Sequence, residues 1–313
     1  MQLAKPLDVT LELAPRARFD VVDLRSRFAA EHQALEAYPH CLYWSFHTTA
    51  GFLDRSLAAR LSARHIPTYV DAFRTLFPEG AGYEHDRLDQ RTDLNAEQRA
   101  VEPRNADSHL AYIASGLRTC VTHPNRDGEN VFFVDLDGVY DGRPRRRQTR
   151  VIGFSRERKV LETRIEVPVS GHPIDSVNLK DPRLNVYDEL AQFVRQAGIA
   201  KGRLRISLDP SERQSALTVN EFETLLMKYD LAEVLKNPLK FVAEKYRHAM
   251  ANPRAVPAAR FFRMRRSVSL LVSDCPNGSP GIIEGTYQSP ILVQWQHAPR
   301  QSRVLNVSIS EIS

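Results

Sequence analysis

Two stretches of the chain share one order of apolar and polar positions. Residues 9–24 (VTLELAPRARFDVVDL) and 163–179 (TRIEVPVSGHPIDSVNL) each alternate between the two classes, bend at a polar segment and resume with Asp and Val residues. Alternation with a period of two indicates strands that bury one face. Each stretch therefore predicts a pair of strands, and Leu24 in the first matches Leu179 in the second.

The patterns that follow keep the same order in both halves. A helical stretch comes next, ALEAY (34–38) or VYDELAQFVRQAG (186–198), and then an apolar strand, CLYWSFHTT (41–49) or GRLRISLDP (202–210). A longer helical region follows, clearest over 218–250, where apolar residues recur at helical spacing. A terminal set of strands completes each half. Grouped strands and helices, rather than strict alternation, favour an α+β fold.

The ends of the two halves align as well. Residues 122–140 lie over 273–291, and QTRVIGFS (148–155) lies over QSRVLNVS (301–308). Matches at both ends of each half indicate a tandem duplication.

The duplication predicts two domains, 1–157 and 158–313. A chain of 313 residues is long enough for two modest domains of ordinary size. We expect each domain to be a mixed β-sheet or sandwich with flanking helices.

Composition and charge narrow the functional classes. The formal net charge is +5, with basic clusters at 143–150 and 260–266, but acidic residues are spread along the whole chain, which makes nucleic acid an unlikely partner. No apolar run approaches the roughly 20 residues of a membrane span, and the first residues contain no apolar signal segment. Three cysteines without a CxxC pair predict a reducing, cytoplasmic compartment.

The stretch VFFVDLDG (131–138) raises one enzymatic possibility. It opens like the nucleophile strand of a haloacid-dehalogenase-type phosphatase, with Asp135 as the nucleophile. The alignment places residues 134–137 opposite GTYQ (285–288), late in their domain, whereas a phosphatase nucleophile strand should open its domain. No later Asp pair follows to hold magnesium. We therefore expect a buried strand that ends in a turn.

Three short segments and a run of arginines carry a family resemblance. WSFHTTAG (44–51), YEHD (83–86), NADSHL (105–110) and the arginines at 145–147 occur in the order found in the YjbQ family (UPF0047 group), which the first half resembles. The family pattern has an H-T-[TS]-A strand end, a Y-x-H-[DN] segment, a histidine segment that opens a helix, a G-T-W-Q strand and an Arg-rich hairpin.

Each half departs from the family pattern in a complementary way. Where the family has an Asn-Glu pair, the first half has Arg55-Ser56, whereas the second half has Asn220-Glu221 and keeps GTYQ for G-T-W-Q. At the position of His47 the second half has Glu212. Since family members resemble small trimeric domains with clefts at subunit contacts, the fused chain is expected to divide one site between its halves and is a possible homo-oligomer.

The resemblance implies a set of site residues in one interdomain cleft. The expected metal ligands are His47, His85 and His109, and the expected catalytic and substrate-binding residues facing them are Glu221, Asn220, Gln288 and Thr286. The opposite cleft, with Glu212, Asp135 and Asp137, is expected to be degenerate or repurposed.

Three converging histidines suit a divalent transition metal, with zinc preferred and magnesium or manganese as alternatives. Asp86 or Asp107 is expected to orient the imidazoles, and Glu221 to act as general base or acid. Arginines at 143, 145 and 300 are candidate anion anchors.

The resemblance implies a thiamine-phosphate-synthase-like reaction, in which a pyrimidine diphosphate is joined to a thiazole phosphate with loss of pyrophosphate. The first hypothesis is a metal-dependent transferase or hydrolase that acts on a small phosphorylated or anionic heterocycle. The alternative is a non-catalytic ligand-binding or scaffold protein. Structural alternatives also stand: Thr218 and Glu221 as a helix capping box, GTYQ as a strand with a glycine bulge, and residues 91–107 as a loop.

Overall fold

The computed structural model describes residues 5–60, 66–126, 128–237, 264–275 and 278–313. The strands of the first half are β1 Leu7–Leu13, β2 Asp20–Asp23, β3 His40–Ser45, β4 Ala50–Phe52, β5 Cys120–Pro124, β6 Phe132–Asp135, β7 Val139–Tyr140, β8 Arg143–Pro144 and β9 Arg147–Phe154. Those of the second half are β10 Glu157–Pro168, β11 Ile174–Asn178, β12 Gly202–Leu208, β13 Ser215–Asn220, β14 Ser267–Asp274, β15 Pro280–Ile283, β16 Ser289–Trp295 and β17 Ser302–Ile312.

Helices connect these strands. They are α1 Leu24–Arg27, α2 Ala29–Leu35, α3 Arg55–Arg60, α4 Ile66–Leu76, α5 Ala96–Val101, α6 Ala106–Ser115, α7 Val186–Ala197 and α8 Leu231–Lys236, with 3₁₀ turns at Leu88–Gln90 and Pro182–Leu184 and a π-helical turn at Leu226–Asp230. None of the described helices is long and apolar enough to cross a membrane.

The two halves repeat one sheet topology. In the first half the strand orders are β1-β9-β3-β5 and β2-β6-β4, and in the second they are β10-β17-β12-β14-β15 and β11-β16-β13. Strand for strand, the second half reproduces these two sheets and adds β15 at one edge, whereas among the described residues the two-stranded sheet of β7 and β8 occurs in the first half alone. The mixed α+β fold is thereby confirmed, and the chain passes from one set of sheets to the other between β9 and β10.

The predicted opening of each half agrees with the structure, whereas the long helical region is only partly as expected. The alternating stretches form β1 with β2 and β10 with β11, and the predicted helix at 186–198 is α7. The region 218–250 begins as strand β13, and helical turns start at Thr224. Its part beyond residue 237 lies outside the described residues.

The predicted alignment of the terminal segments is wrong in register. Asp135 on β6 pairs with Asp20 on β2 and with Ala50 on β4. The residue in that position of the second half is Gln294, which pairs with Asp175 and Ser215. VDLD therefore corresponds to residues 293–296 (VQWQ), and GTYQ lies in the turn that precedes β16.

A buried arginine confirms the corrected register. Arg147 Nε donates to Asp135 Oδ2 at 2.7 Å, and Arg303 Nε donates to Gln294 Oε1 at 3.2 Å. Arg147 thus corresponds to Arg303, which also shifts the predicted match between 148–155 and 301–308. Alternating strands look alike at several registers, so the pattern alone could not choose among them.

Hydrophobic cores bind the halves together. One core joins Leu42 and Trp44 of β3 to Leu204 and Leu270 of the second half. Another joins helices α4 and α6 to the segment that begins at Leu226 and to β16. These shared cores bring the loop after β3 against the turn before β16, which is where the candidate site lies.

Candidate active site

A pocket lies between the two halves and takes its walls from both. Its cavity volume is about 600 Å³. The first half contributes the loop 46–49, the hairpin segment 145–148 and His109. The second half contributes Glu221 and the turn 284–287. Sites of this kind, in which polar groups converge between domains, are the usual place for small-molecule ligands.

Helix α6 delivers His109 to this pocket from the protein interior. Every residue of α6 is buried, and the helix ends at Gly116, which takes the left-handed conformation with φ of 65°. Such a backbone conformation favours glycine, which ends helices in this way. The packing of α6 leaves His109 only 1% exposed.

Asn220 from the second half fixes the tautomer of His109. The Asn220 side chain donates to the carbonyl of Thr48 at 2.8 Å, and its Oδ1 accepts the N–H of Glu221 at 2.9 Å. Oδ1 is therefore the acceptor in its 2.7 Å contact with His109 Nδ1. His109 must carry its proton on Nδ1, which leaves Nε2 as an unprotonated base.

The second nitrogen of His109 faces a carboxylate. Nε2 lies 3.6 Å from Glu221 Oε2. Burial and the neighbouring His85 lower the pKa of His109 to about 3, although the Asn220 contact raises it. The neutral ring of His109 thus presents Nε2 as an acceptor beside the Glu221 carboxyl group, which comes from the other half of the chain.

His85 stands behind His109, with ring centroids 5.3 Å apart. Its Nδ1 donates to Asp86 Oδ1 at 3.2 Å, and its Nε2 accepts from Arg91 Nη1 at 3.1 Å. Asp86 thus orients one imidazole, as predicted for it or Asp107. Asp107 itself pairs with Arg18 at 2.8 Å instead.

Arg91 is the residue of this cluster that the sequence did not single out. Its side chain is fully buried, and its Nη2 donates to Glu221 Oε1 at 3.2 Å. The predicted loop 91–107 in fact contains α5 and the start of α6, and it begins with this arginine. Arg91 lies in a polar segment without periodicity, so no pattern marks it as buried.

His47 lines the pocket but does not join the other two histidines. Its Nε2 accepts the N–H of Gln148 at 2.8 Å, which braces the loop after β3 against β9. Burial, Arg147 and Arg145 lower the pKa of His47 to about 3, so the ring is neutral at pH 7.

The donors close enough to share a metal ion are His85, His109 and Glu221. One ligand atom of each lies within 4.8 Å of the others, and among the described residues His47 is not part of that group. Both ring nitrogens of His85 are already engaged by Asp86 and Arg91. The arrangement therefore does not fit a metal ion while Arg91 keeps its place.

Gln288 does not line the pocket but connects the two halves through hydrogen bonds. It is fully buried, and its Nε2 donates to the carbonyls of Ser45 and His47, each at 2.9 Å. Its Oε1 accepts the N–H of Gly285 at 2.8 Å, so GTYQ forms a turn and not a bulged strand. Thr286 and Tyr287 of the same turn line the pocket.

The predicted helix capping box of Thr218 and Glu221 is wrong, because Thr218 lies within strand β13.

One of the predicted anion anchors reaches the pocket. Arg145 lines it together with Arg146, while Asp137 pairs with Arg145 from behind. Arg143 lies in the exposed strand β8, and Arg300 is exposed in the second half.

The residues expected in the opposite cleft form ion pairs and hydrogen bonds at other places in the protein. Glu212 pairs with Arg303 at 2.8 Å within the second half. Asp137 accepts from Asn105 Nδ2 at 2.7 Å, beside the main pocket. Asp135 is 1% exposed, and Arg147 donates to both of its oxygens. A carboxylate so enclosed cannot reach a phosphoryl group, which speaks against the dehalogenase-type hypothesis.

The repeated topology and the shared pocket define this chain as a tandem α+β protein with a site between its halves. A YbjQ-like protein of unknown function from Sulfolobus solfataricus P2 is similar to it, with 22% identity over 50% of this chain and 99% of its own, and a TM-score of 0.33. A member of the yjbq/upf0047 family from Clostridium acetobutylicum shows 16% identity over 48% and 99%, with a TM-score of 0.31.

A hypothetical protein from Aeropyrum pernix K1 shows 18% identity over 47% of this chain and 96% of its own, with a TM-score of 0.31. No protein-family model matches the sequence, and neither does a curated protein. Two of these three structures are described as YbjQ-like or as members of the yjbq/upf0047 family, in agreement with the predicted resemblance, and each is similar to about half of this chain.

Proposed function

We propose that this chain is a cytoplasmic enzyme of the YjbQ type, a transferase or hydrolase that acts on a small phosphorylated or anionic heterocycle in the pocket between its halves. The observation that carries the proposal is the pair of acceptors in that pocket. His109 Nε2 and Glu221 Oε2 lie 3.6 Å apart and come from different halves.

Two acceptors at this separation suit proton removal. A water molecule in contact with both acceptors donates one hydrogen to one of them and gives its reacting proton to the other, whereas a substrate O–H or N–H group gives its proton to one of the two. Because the pKa of His109 is lowered to about 3, the ring enters the reaction neutral at pH 7. Arg91 holds Oε1 of Glu221, so Oε2 is the oxygen directed at the substrate.

The remaining walls suit an anionic heterocycle. Arg145 and Arg146 place guanidinium groups on one side of the pocket, and guanidinium is the side chain that best matches phosphate. Tyr287 lies on another side with 61% of its surface exposed. An aromatic ring in that position offers a face for a flat heterocycle.

A metal-dependent form of the reaction remains a second candidate. His85, His109 and Glu221 offer one nitrogen or oxygen each within 4.8 Å, a donor set that zinc accepts. It requires that Arg91 first leave His85. A ligand-binding module without catalysis is the other candidate, favoured by the ion pair that already occupies one oxygen of Glu221. An oligomeric assembly also stays a prediction.

Glu221→Gln tests catalysis. The assay follows pyrophosphate release from a pyrimidine diphosphate and a thiazole phosphate, and calorimetry measures binding of inorganic pyrophosphate. We expect Glu221→Gln to lower kcat/KM by about 10²–10⁴-fold while pyrophosphate affinity stays about the same, because the amide cannot take a proton. The matched control is Glu162→Gln, an exposed carboxylate paired with Lys159, which should change neither quantity.

The arginines test the pocket itself. Arg145→Gln should weaken pyrophosphate binding about tenfold, whereas Arg158→Gln, which removes an exposed arginine paired with Glu311, should not. Binding without turnover in the wild-type protein would favour the binding module. If pyrophosphate does not bind, or if Arg145→Gln leaves its binding unchanged, the pocket is not the anion site proposed.

A further inference from the structure

The buried guanidinium of Arg91 lies where the donors of the histidine cluster meet. Nη1 donates to His85 Nε2 at 3.1 Å, and Nη2 donates to Glu221 Oε1 at 3.2 Å. These two side chains, with His109, are the group whose ligand atoms fall within 4.8 Å of one another.

We propose that Arg91 is the resident cation of this cluster and takes the place that a divalent metal ion would hold. The inference rests on the proposed function only in that it concerns the same site. A zinc ion binds imidazole nitrogen at about 2.0–2.1 Å and carboxylate oxygen at about 2.0–2.2 Å. An ion at that distance from His85 Nε2 and Glu221 would collide with the guanidinium, so the cluster holds one cation or the other.

The surrounding carboxylates show that the cluster is built for this guanidinium. Asp93 accepts from Nε at 2.8 Å and from Nη2 at 2.7 Å, in the two-pronged arrangement that guanidinium favours. Glu223 lies 3.6 Å from Nε, and Glu102 lies 3.7 Å from Nη1.

The charge of Arg91 is permanent. Burial lowers the pKa of Arg91, but the hydrogen bonds that Asp93 accepts and the charges of Glu221 and Glu223 outweigh burial, and the pKa is raised.

The hydrogen bonds of His85 also indicate that Arg91 takes the place of a metal ion. Asp86 accepts from Nδ1, which makes Nε2 the acceptor, and the atom that faces Nε2 is a guanidinium nitrogen. A histidine poised for a metal ion also has one nitrogen held by a carboxylate, but its other nitrogen points at the ion. In this chain the guanidinium occupies that second direction. Arg91 therefore neutralises Glu221 without a cofactor, and the site does not depend on metal supply.

The test replaces Arg91 and measures zinc. Wild-type protein, Arg91→Gln and Arg91→Lys are dialysed against zinc and then against buffer, and zinc per chain is measured by elemental mass spectrometry. We expect substoichiometric zinc in the wild type and in Arg91→Lys, which keeps the positive charge. Arg91→Gln should hold about one zinc per chain, because the vacated position lies among three donors. Adding His109→Gln to Arg91→Gln should abolish that binding.

A control and a stability readout complete the experiment. Arg87→Gln removes a half-exposed arginine of the same segment, paired with Glu84, and should bind no zinc. Thermal unfolding should show Arg91→Gln destabilised and then restored by zinc, since the unpaired carboxylates regain a cation.

Two results would overturn the proposal. One is stoichiometric zinc in the wild type that His85→Gln removes, and this result decides the matter even if Arg91→Gln fails to fold. The other is a folded Arg91→Gln that binds no zinc. Neither result depends on turnover or on pyrophosphate binding, so this proposal and the proposed function can fail separately.

Discussion

At the residue scale, one hydrogen bond defines the chemistry of the pocket. His109 comes from the first half and Asn220 from the second, and their 2.7 Å contact fixes which ring nitrogen carries the proton. Asn220 is itself held by Thr48 and by the backbone of Glu221. An imidazole constrained in this way is pre-oriented, and orientation is one of the requirements of catalysis by proton transfer.

The lowered pKa of His109 predicts a pH-dependent stability. Between pH 6.5 and about 3 the unfolded chain binds a proton at this residue and the folded chain does not, so stability falls as the pH falls. Relative to His109→Gln, the wild type should therefore lose about 2 kcal/mol of unfolding free energy between pH 7 and pH 5. Urea unfolding at both pH values measures the change.

The comparison of the wild type with His109→Gln isolates His109, because the contributions of the other titratable groups to the pH dependence are common to both proteins and cancel. Asp107, whose pKa burial raises to about 7, contributes with the opposite sign in both proteins. His297→Gln, which removes an exposed histidine, serves as the control and should leave the pH dependence unaltered. Parallel curves for the wild type and His109→Gln would show that His109 is not held neutral.

At the element scale, the loop after β3 and the turn before β16 make the contact that closes the pocket. Gly285 permits it, because a Cβ at that position would lie 2.0 Å from the carbonyl oxygen of Phe46. Gln288 then bridges the same two elements through the carbonyls of Ser45 and His47. Glycine and glutamine in GTYQ thus hold the two halves together at the edge of the pocket.

Gly285→Ala should force these elements apart. We expect a loss of about 1–3 kcal/mol in the free energy of unfolding, the usual cost of an overpacked contact. Gly171→Ala is the matched control, because its Cβ would meet nothing nearer than Gln301 Nε2 at 3.8 Å. Chemical denaturation compares the two. Equal effects of both substitutions would mean that the close approach at Gly285 does not hold the halves together.

The sequence predicts the order of elements better than their alignment. Strand pairs and helix α7 follow from periodicity, and the complementary motifs place His85, His109, Asn220 and Glu221 in one region. The register of β6 and β16 does not follow, because strand patterns with a period of two fit at several shifts.

The parts of the site that the sequence missed depend on contacts between distant segments. Nothing local marks Arg91, whose partner Glu221 is far along the chain. The position of His47 likewise depends on Gln148 and Gln288, which hold its loop away from the other histidines. Long-range hydrogen bonds of this kind leave no periodic signal in a single sequence.

At the scale of the whole molecule, the two halves fold around shared cores and share one site. Trp44 of the first half lies in a core with Leu204 and Leu270 of the second. The first half supplies His109, and the second supplies both residues that orient and face it. A substitution in the second half should therefore change the protonation of the ring nitrogens of His109 in the first half.

The most direct test of this account is a nitrogen spectrum of His109. Long-range ¹H–¹⁵N correlation on protein labelled in histidine, assigned with His109→Gln, reports the protonation of each ring nitrogen. We expect Nδ1 protonated and Nε2 unprotonated throughout pH 8 to 5, since burial lowers the pKa of His109 to about 3, and we expect a mixture of tautomers in Asn220→Ala. A ring protonated on Nε2, or a spectrum that Asn220→Ala leaves unchanged, would contradict a site shared between the halves.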